Sequence, residues 1–287
     1  MSVYYPTPCT LPEDIAAVEA EIAASAAALR AAVPGAVGVA FWDFDGTVFD
    51  GDCTDGFGVL ADGSRMSGMV EESLKMGFAA EFTDADGFAR CWRRYLDLMR
   101  DEGFPTAYAY AVKIFEGARA EEILALARQR FHGPLSGWFF PEAVTLWRRL
   151  EADGIRCVVI SASADFFVKG AAGVLGAPEE RLHGVRLEER ADGTLSGNVV
   201  PPLTCAEGKA ERMHGILAEM AWREPDKTFW PVAAFGNHTV TDGPLLEAVA
   251  GTLLPAGTPL AVLVNSDAPH DAEGPLRRLI FTRRSTP

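Results

Sequence analysis

The sequence predicts an α/β fold, a parallel sheet with helices on both faces, and three observations carry that expectation. From residue 139 onward, apolar runs of strand length alternate with helix-period segments, the pattern of parallel strands joined by helical crossovers. The run 155–160 is rich in β-branched residues, as a strand covered on both faces should be. Three of the strand-like runs lead into polar residues, Asp43, Ser161 and Asn237. In open parallel sheets, ligands sit beyond the carboxyl ends of the strands.

Taken in order, residues 11–33 open on Leu11-Pro12-Glu13-Asp14 and run Ala-rich through Ile15, Val18, Ile22 and Leu29 to Pro34-Gly35. They read as one helix packed on the sheet. The apolar run 37–42 drives into Asp43-Phe44-Asp45-Gly46-Thr47 and reads as the first strand. Side chains alternate along a strand, so Asp43 and Asp45 project to one side, and Gly46 and Gly51 allow sharp turns straight afterwards. Two carboxylates at a strand end make a poor core and a good metal and acid–base site. Residues 52–138 lack strand alternation; Met69, Val70 and Leu74, then Phe88, Trp92, Leu96 and Met99, then Ile123, Leu124 and Ala127 recur at helix spacing.

Phe139-Phe140-Pro141 starts a helix through Val144, Leu146, Trp147 and Leu150 that Asp153-Gly154 ends. The strand 155–160 leads into Ser161-Ala162-Ser163-Ala164-Asp165 and a helix to about Leu175. Segments 182–189 and 194–200, joined through Asp192-Gly193, read as a two-stranded excursion. Gly208-Lys209 opens a helix to about Met220, and 232–235 is a short buried strand ending in Gly236-Asn237-His238. A helix over 242–249 and a last strand over 260–264 complete the pattern, and Arg277, Arg278, Arg283 and Arg284 read as a solvated tail.

Composition bounds what such a fold does. The 287 residues are 48% hydrophobic and 23% charged, ordinary for a globular protein with one large core and a smaller module. A formal charge of −14 argues against a nucleic-acid surface, although a bound divalent cation can reverse the field locally and admit a phosphorylated substrate. The five cysteines are scattered, with no CxxC pair, which excludes a disulfide framework or a zinc site and fits free thiols in a reducing compartment. Arg30 and Pro34 interrupt the Ala-rich stretch before Trp42, so no membrane partner and a cytoplasmic location are expected.

Asp43-Phe44-Asp45-Gly46-Thr47 after an apolar strand resembles the first motif of the haloacid-dehalogenase superfamily of phosphohydrolases. The resemblance implies a Rossmann-like core over 1–51 and 139–287 and a helical cap, 52–138, inserted between the first and second motifs. It also implies a Mg²⁺-dependent phosphatase acting on a small phosphorylated metabolite. Asp43 would be the nucleophile, forming an aspartyl-phosphate, and Asp45 the general acid and base. Ser161, ending an apolar strand, matches the second motif and would bind the phosphoryl group with its hydroxyl and the Ala162 N–H, Thr47 assisting; Lys209 matches the third. Gly236-Asn237-His238-Thr239-Val240-Thr241-Asp242 departs from the family's fourth motif, which has Gly-Asp followed by a second Asp. The metal set implied is Asp43, Asp45, Asn237 and Asp242, the last directly or through water, and Asn237 brings an oxygen without a charge. His238 reads equally as a strand-end structural residue or a ligand contact.

The spacing from Ser161 through Asp192-Gly193-Thr194 to Gly208-Lys209 is similar to the phosphoserine-phosphatase-like group. There an acidic residue shortly after the first motif binds the substrate's amine, and Asp52 stands at that distance; an amine-bearing or quaternary-ammonium ester follows, unless Asp52 is simply a solvated turn residue. Arg90, Arg93 and Arg94 either grip a substrate carboxylate or face water. A phosphotransferase on the same scaffold and a non-catalytic binding module are the alternatives, while Asp45 counts against a dehalogenase.

Overall fold

The computed structural model describes residues 6–59, 65–266 and 276–283. Its elements run α1 (Glu13–Ala32) and β1 (Ala36–Trp42), then an insert of β2 (Gly56–Val59), β3 (Arg65–Ser67), α2 (Met69–Lys75), α3 (Gly87–Asp101), α4 (Phe104–Lys113) and α5 (Ala120–His132). After it come α6 (Pro141–Ala152), β4 (Arg156–Ala164), α7 (Asp165–Lys169), α8 (Ala172–Leu175), β5 (Leu182–Glu189) and β6 (Leu195–Val200). The chain closes with α9 (Glu207–Arg223), β7 (Thr228–Gly236), α10 (Gly243–Ala250), β8 (Leu260–Val264) and β9 (Leu276–Leu279).

Seven strands form one sheet in the order β6-β5-β4-β1-β7-β8-β9, parallel except for the β5–β6 pair. The alternation of β1 divides its side chains between two cores. Ala40 and Trp42 pack with Ile15 and Ile22 of α1 and with Leu146 and Leu150 of α6. Val39 and Phe41 pack on the other face with Met213 and Ile216 of α9 and Leu245 and Val249 of α10. Trp42 is stacked on Phe235 of β7 with ring centroids 3.7 Å apart, which locks the two central strands together where the site begins.

The insert is joined to the sheet by apolar contact as well as by chain. Phe44 and Phe49, from the loop after β1, meet Phe131 of α5 and Phe139 at centroid distances of 5.3 to 6.1 Å, all four buried. Its helices α2, α3 and α5 fall where the apolar spacing places them.

Several elements differ from the sequence expectation. The insert is not wholly helical: β2 and β3 pair as a short antiparallel hairpin, and α4 occupies a segment with no clean period. β4 continues through Ala164, so Ser161 lies inside the strand rather than at its end, and the following helix is split into α7 and α8. β5 belongs to the main sheet, paired in parallel with β4, and only β6 turns back along it. The arginine-rich tail holds a strand: β9 pairs with β8, and Arg277 reaches Glu21 of α1 at 3.3 Å. Charge on that outer strand discourages further edge pairing. Arg284 lies outside the described residues. No helix among the described residues is long and apolar enough to cross a membrane.

Candidate active site

Parallel pairing brings the carboxyl ends of β4, β1 and β7 side by side, and the Asp43 N–H donates to the Phe235 carbonyl at 2.8 Å, carrying the β1–β7 ladder one residue past the strand. Here lies a pocket of about 220 Å³ lined by Asp43, Asp45, Ser161, Ala162, Lys209 and Asn237, and by Asp52, Tyr95, Phe104 and Tyr108 from the insert. Gly46 closes the first loop at φ +75°, and a Cβ there would fall 1.9 Å from Asn237 Nδ2, so only glycine lets the two loops meet.

Lys209, in the first turn of α9, is 1% exposed and its ammonium donates to Asp43 Oδ1 at 2.5 Å and to Asp242 Oδ1 at 2.6 Å. Burial alone would discharge such a lysine. The Asp242 and Asp43 carboxylates outweigh that and hold its pKa well above the ordinary range. Burial, and then the charge of Asp242, push Asp43 up to about 6 against the opposing pull of Lys209. The second Asp43 oxygen accepts from Thr47 Oγ1 at 3.1 Å.

Two predicted residues take places other than those expected. Thr47 is fully buried behind Asp43, its hydroxyl bound to that carboxylate; it orients Asp43 and does not reach the pocket. Asp242 is also fully buried and outside the pocket lining. Its Oδ1 accepts from Lys209 and from Thr241 Oγ1 (3.3 Å), and its Oδ2 from the Asn237 and His238 N–H groups, both at 2.9 Å. A carboxylate has about four lone-pair positions, and all four are used, so no direct metal ligation is left to Asp242. Instead it pins Lys209 to the turn after β7.

The Asp45 side chain is also committed. Its Oδ1 accepts the Cys53 N–H at 2.8 Å, and its Oδ2 accepts Ser163 Oγ at 2.6 Å. Burial and the neighbouring Asp52 charge raise its pKa well above the carboxylate range, against those hydrogen bonds. Thr54 Oγ1 lies 3.0 Å from Ser163 Oγ, so Thr54, Ser163 and Asp45 form a hydroxyl relay ending on the carboxylate. Ser161 Oγ accepts the Ser163 N–H at 3.1 Å, which fixes the hydroxyl and leaves its proton to donate.

A hard cation fits this donor set, though with fewer ligands than expected. Among the described residues no three His, Cys, Asp or Glu side chains gather as a metal site, because Lys209 stands between Asp43 and Asp242 and Asp45 turns toward Ser163. Asp43 and the Asn237 carboxamide remain as oxygen donors on the pocket wall, a sparse set suited to Mg²⁺ with retained waters.

Asp52, half-buried, lines the pocket and also caps its own turn. Its Oδ1 accepts the Thr54 and Asp55 N–H groups at 2.8 and 3.0 Å, and burial raises its pKa. His238 lines the pocket too, with its ring edge-on to Phe104 at 5.9 Å. Of Arg90, Arg93 and Arg94, none lines the pocket, and Arg90 is exposed and bound to Asp84. Sequence reasoning missed Ser163, whose signal was its place two residues after Ser161 on the same strand face. It also missed Thr54, Tyr95, Phe104 and Tyr108, which no spacing ties to the strand ends.

Fold and pocket together define an α/β protein whose buried aspartate–lysine pair and second carboxylate sit at the carboxyl edge of a parallel sheet. The profile of the haloacid dehalogenase-like hydrolases matches residues 40–247, and the chain belongs to that family. A solved protein of unknown function from Bordetella pertussis Tohama I is similar to it, with a TM-score of 0.61 and 18% identity over 81% of this chain and 92% of the other. Another functionally unknown protein, from Anaerococcus prevotii DSM 20548, matches with a TM-score of 0.61 and 15% identity over 98% and 97%. A cytosolic 5'-nucleotidase IIIB bound to cytidine matches with a TM-score of 0.55 and 13% identity over 88% and 78%. At these identities the likeness is one of fold. No curated protein sequence matches the chain.

Proposed function

We propose that this hydrolase cleaves phosphate monoesters of small cationic molecules, with Asp43 as nucleophile. The observation that carries the reading is Lys209, buried and 2.5 Å from Asp43, beside a second carboxylate, Asp45, with a raised pKa in the same pocket. The Asp43 carboxylate attacks phosphorus, the bond from phosphorus to the ester oxygen breaks, and Asp45 protonates that leaving oxygen. Asp45 then takes a proton from water, whose oxygen displaces Asp43 and releases phosphate. The raised pKa keeps Asp45 protonated for the first step, and the relay through Ser163 holds it in place. Lys209 neutralises the nucleophile and the incoming phosphoryl charge, while the Ser161 hydroxyl and Ala162 N–H bind the phosphoryl oxygens. Mg²⁺ held by Asp43 and Asn237 would supply the further positive charge that lets two anions meet.

The insert supports a cationic leaving group. Tyr95, Phe104 and Tyr108 give an aromatic wall and Asp52 a carboxylate, the surroundings that favour an ammonium or quaternary ammonium. The test is phosphate release from phosphocholine, phosphoethanolamine, phosphoserine and sugar phosphates, with Mg²⁺ or EDTA and with acceptor alcohols present. Metal-dependent release, fastest for the cationic esters and absent in Asp43→Asn, is expected. Preference for sugar phosphates would remove the cationic assignment, and transfer to the alcohols in place of release would make the protein a phosphotransferase.

A further inference from the structure

A second cleft, of about 430 Å³, is bounded by β5, α9 and the segment after β6, and shares no lining residue with the Asp43 pocket. On a chain of net charge −14 its lining is basic, six Arg and Lys side chains against four Asp and Glu. Three of those acids are already paired: Glu224 with Arg156 at 2.5 Å, Asp165 with Lys169 at 2.5 Å, and Glu219 with Arg212 at 2.7 Å. Arg186 and Arg223 are exposed and have no carboxylate partner among the described residues.

His183 lines the same cleft. Arg212 Nη2 donates to its Nδ1 at 3.3 Å, which leaves the ring's proton on Nε2. Burial, and then the charges of Arg212, Lys169, Arg186 and Arg223, hold the imidazole neutral, down to about 3. Lys169 and Arg212 are answered by Asp165 and Glu219, and Arg181 by Glu151, so the charge beside the ring that no carboxylate meets is that of Arg186 and Arg223. Two unanswered guanidiniums beside a neutral ring N–H favour an anion, and guanidinium forks match phosphate oxygens well. The volume admits a small phosphorylated molecule as readily as a free ion.

We infer that this cleft is a binding site for a small multiply charged phosphate-bearing anion, held by Arg186, Arg223, Arg212 and the His183 N–H. It is independent of the chemistry proposed for Asp43. The two sites share α9, which carries Lys209 and, one turn on, Arg212.

The test titrates the full chain with inorganic phosphate by calorimetry in EDTA at fixed ionic strength, and repeats it with glycerol phosphate on Asp43→Asn protein, which should not turn the ester over. Beside whatever phosphate the Asp43 pocket takes up, a saturable site is expected whose Kd rises roughly tenfold or more in Arg186→Ala with Arg223→Ala. Arg186→Lys with Arg223→Lys should keep most of the affinity, and the binding that the alanine pair weakens should persist in Asp43→Asn. Tighter binding of glycerol phosphate would identify an organic phosphate as the occupant, and equal binding a free phosphate; either supports the site. Unchanged binding in the alanine pair, or loss of all saturable binding in Asp43→Asn, would place the anion elsewhere and overturn the inference, as would no saturable binding to the native chain. The two arginines are exposed and unpaired, so their removal should not disturb folding, and a matching thermal melt checks that.

Discussion

Replacing Asp242 by Asn separates two roles for one carboxylate at this position, holding Lys209 and ligating a metal. The change keeps volume and removes the charge opposite Lys209. Asp242 accepts from Lys209 at 2.6 Å and from two backbone N–H groups at 2.9 Å, with no exposure to water. An asparagine presents one oxygen and one NH₂, so in either flip a donor faces either the ammonium or the two amides. Breaking a buried pair strands the remaining charge, here partly rescued by Asp43 at 2.5 Å, so the low end of the usual range applies: about 3 kcal/mol. For a chain of this size that is a fall in Tm of roughly 5 °C. The assay is thermal and urea unfolding in EDTA beside a Mg²⁺ titration of activity. We expect the stability loss with the Mg²⁺ midpoint shifted by less than about threefold, since no Asp242 oxygen is free for a metal. Unchanged stability with a large rise in the Mg²⁺ midpoint would refute the reasoning and return Asp242 to the metal.

Ser163→Ala should lower kcat by roughly tenfold for alkyl phosphates, because Asp45 loses its 2.6 Å hydrogen bond. It should cost little for p-nitrophenyl phosphate, whose leaving group needs no proton, and equal losses on both would argue against Asp45 as the acid. For Tyr108→Leu we expect KM raised about tenfold for quaternary-ammonium esters alone; an equal effect on sugar phosphates would remove the cation-binding role. The Asp43 carboxyl, at about 6 folded against 3.8 unfolded, makes a pH prediction. Its contribution to stability in EDTA is full below the unfolded value and lost as pH rises through the folded one. Urea unfolding across that window should show the slope reduced in Asp43→Asn, and an unchanged slope would mean that Asp43 is not the group titrating.

The legible parts of this protein were those where local sequence and global burial agree. The β1 run and its Asp43-Phe44-Asp45 ending could be read because an apolar strand leading into paired carboxylates has few structural uses. Lys209 was found by resemblance, and its burial between two acids is visible only in three dimensions. The hairpin of β2 and β3 escaped because strands of four and three residues are too short to show alternation. α4 escaped because Phe104, Tyr108 and Tyr110 place aromatics on more than one face, one set toward the pocket and one toward the insert's own core. β9 reads Leu-Arg-Arg-Leu, and its exposed arginines resemble a solvated end although its backbone completes the sheet. Asp242 was assigned to the metal because motif spacing says which residues are near one another and says nothing of which lone pairs are already taken.

The most direct test of the central claim is to trap the covalent intermediate. Native chain and Asp43→Asn are mixed with radiolabelled phosphocholine and Mg²⁺, quenched in acid, and the labelled peptide is sequenced. The account predicts label on the peptide containing Asp43, discharged by hydroxylamine as an acyl phosphate must be, and none in the variant. Label on another residue, or turnover that persists in Asp43→Asn, would contradict it.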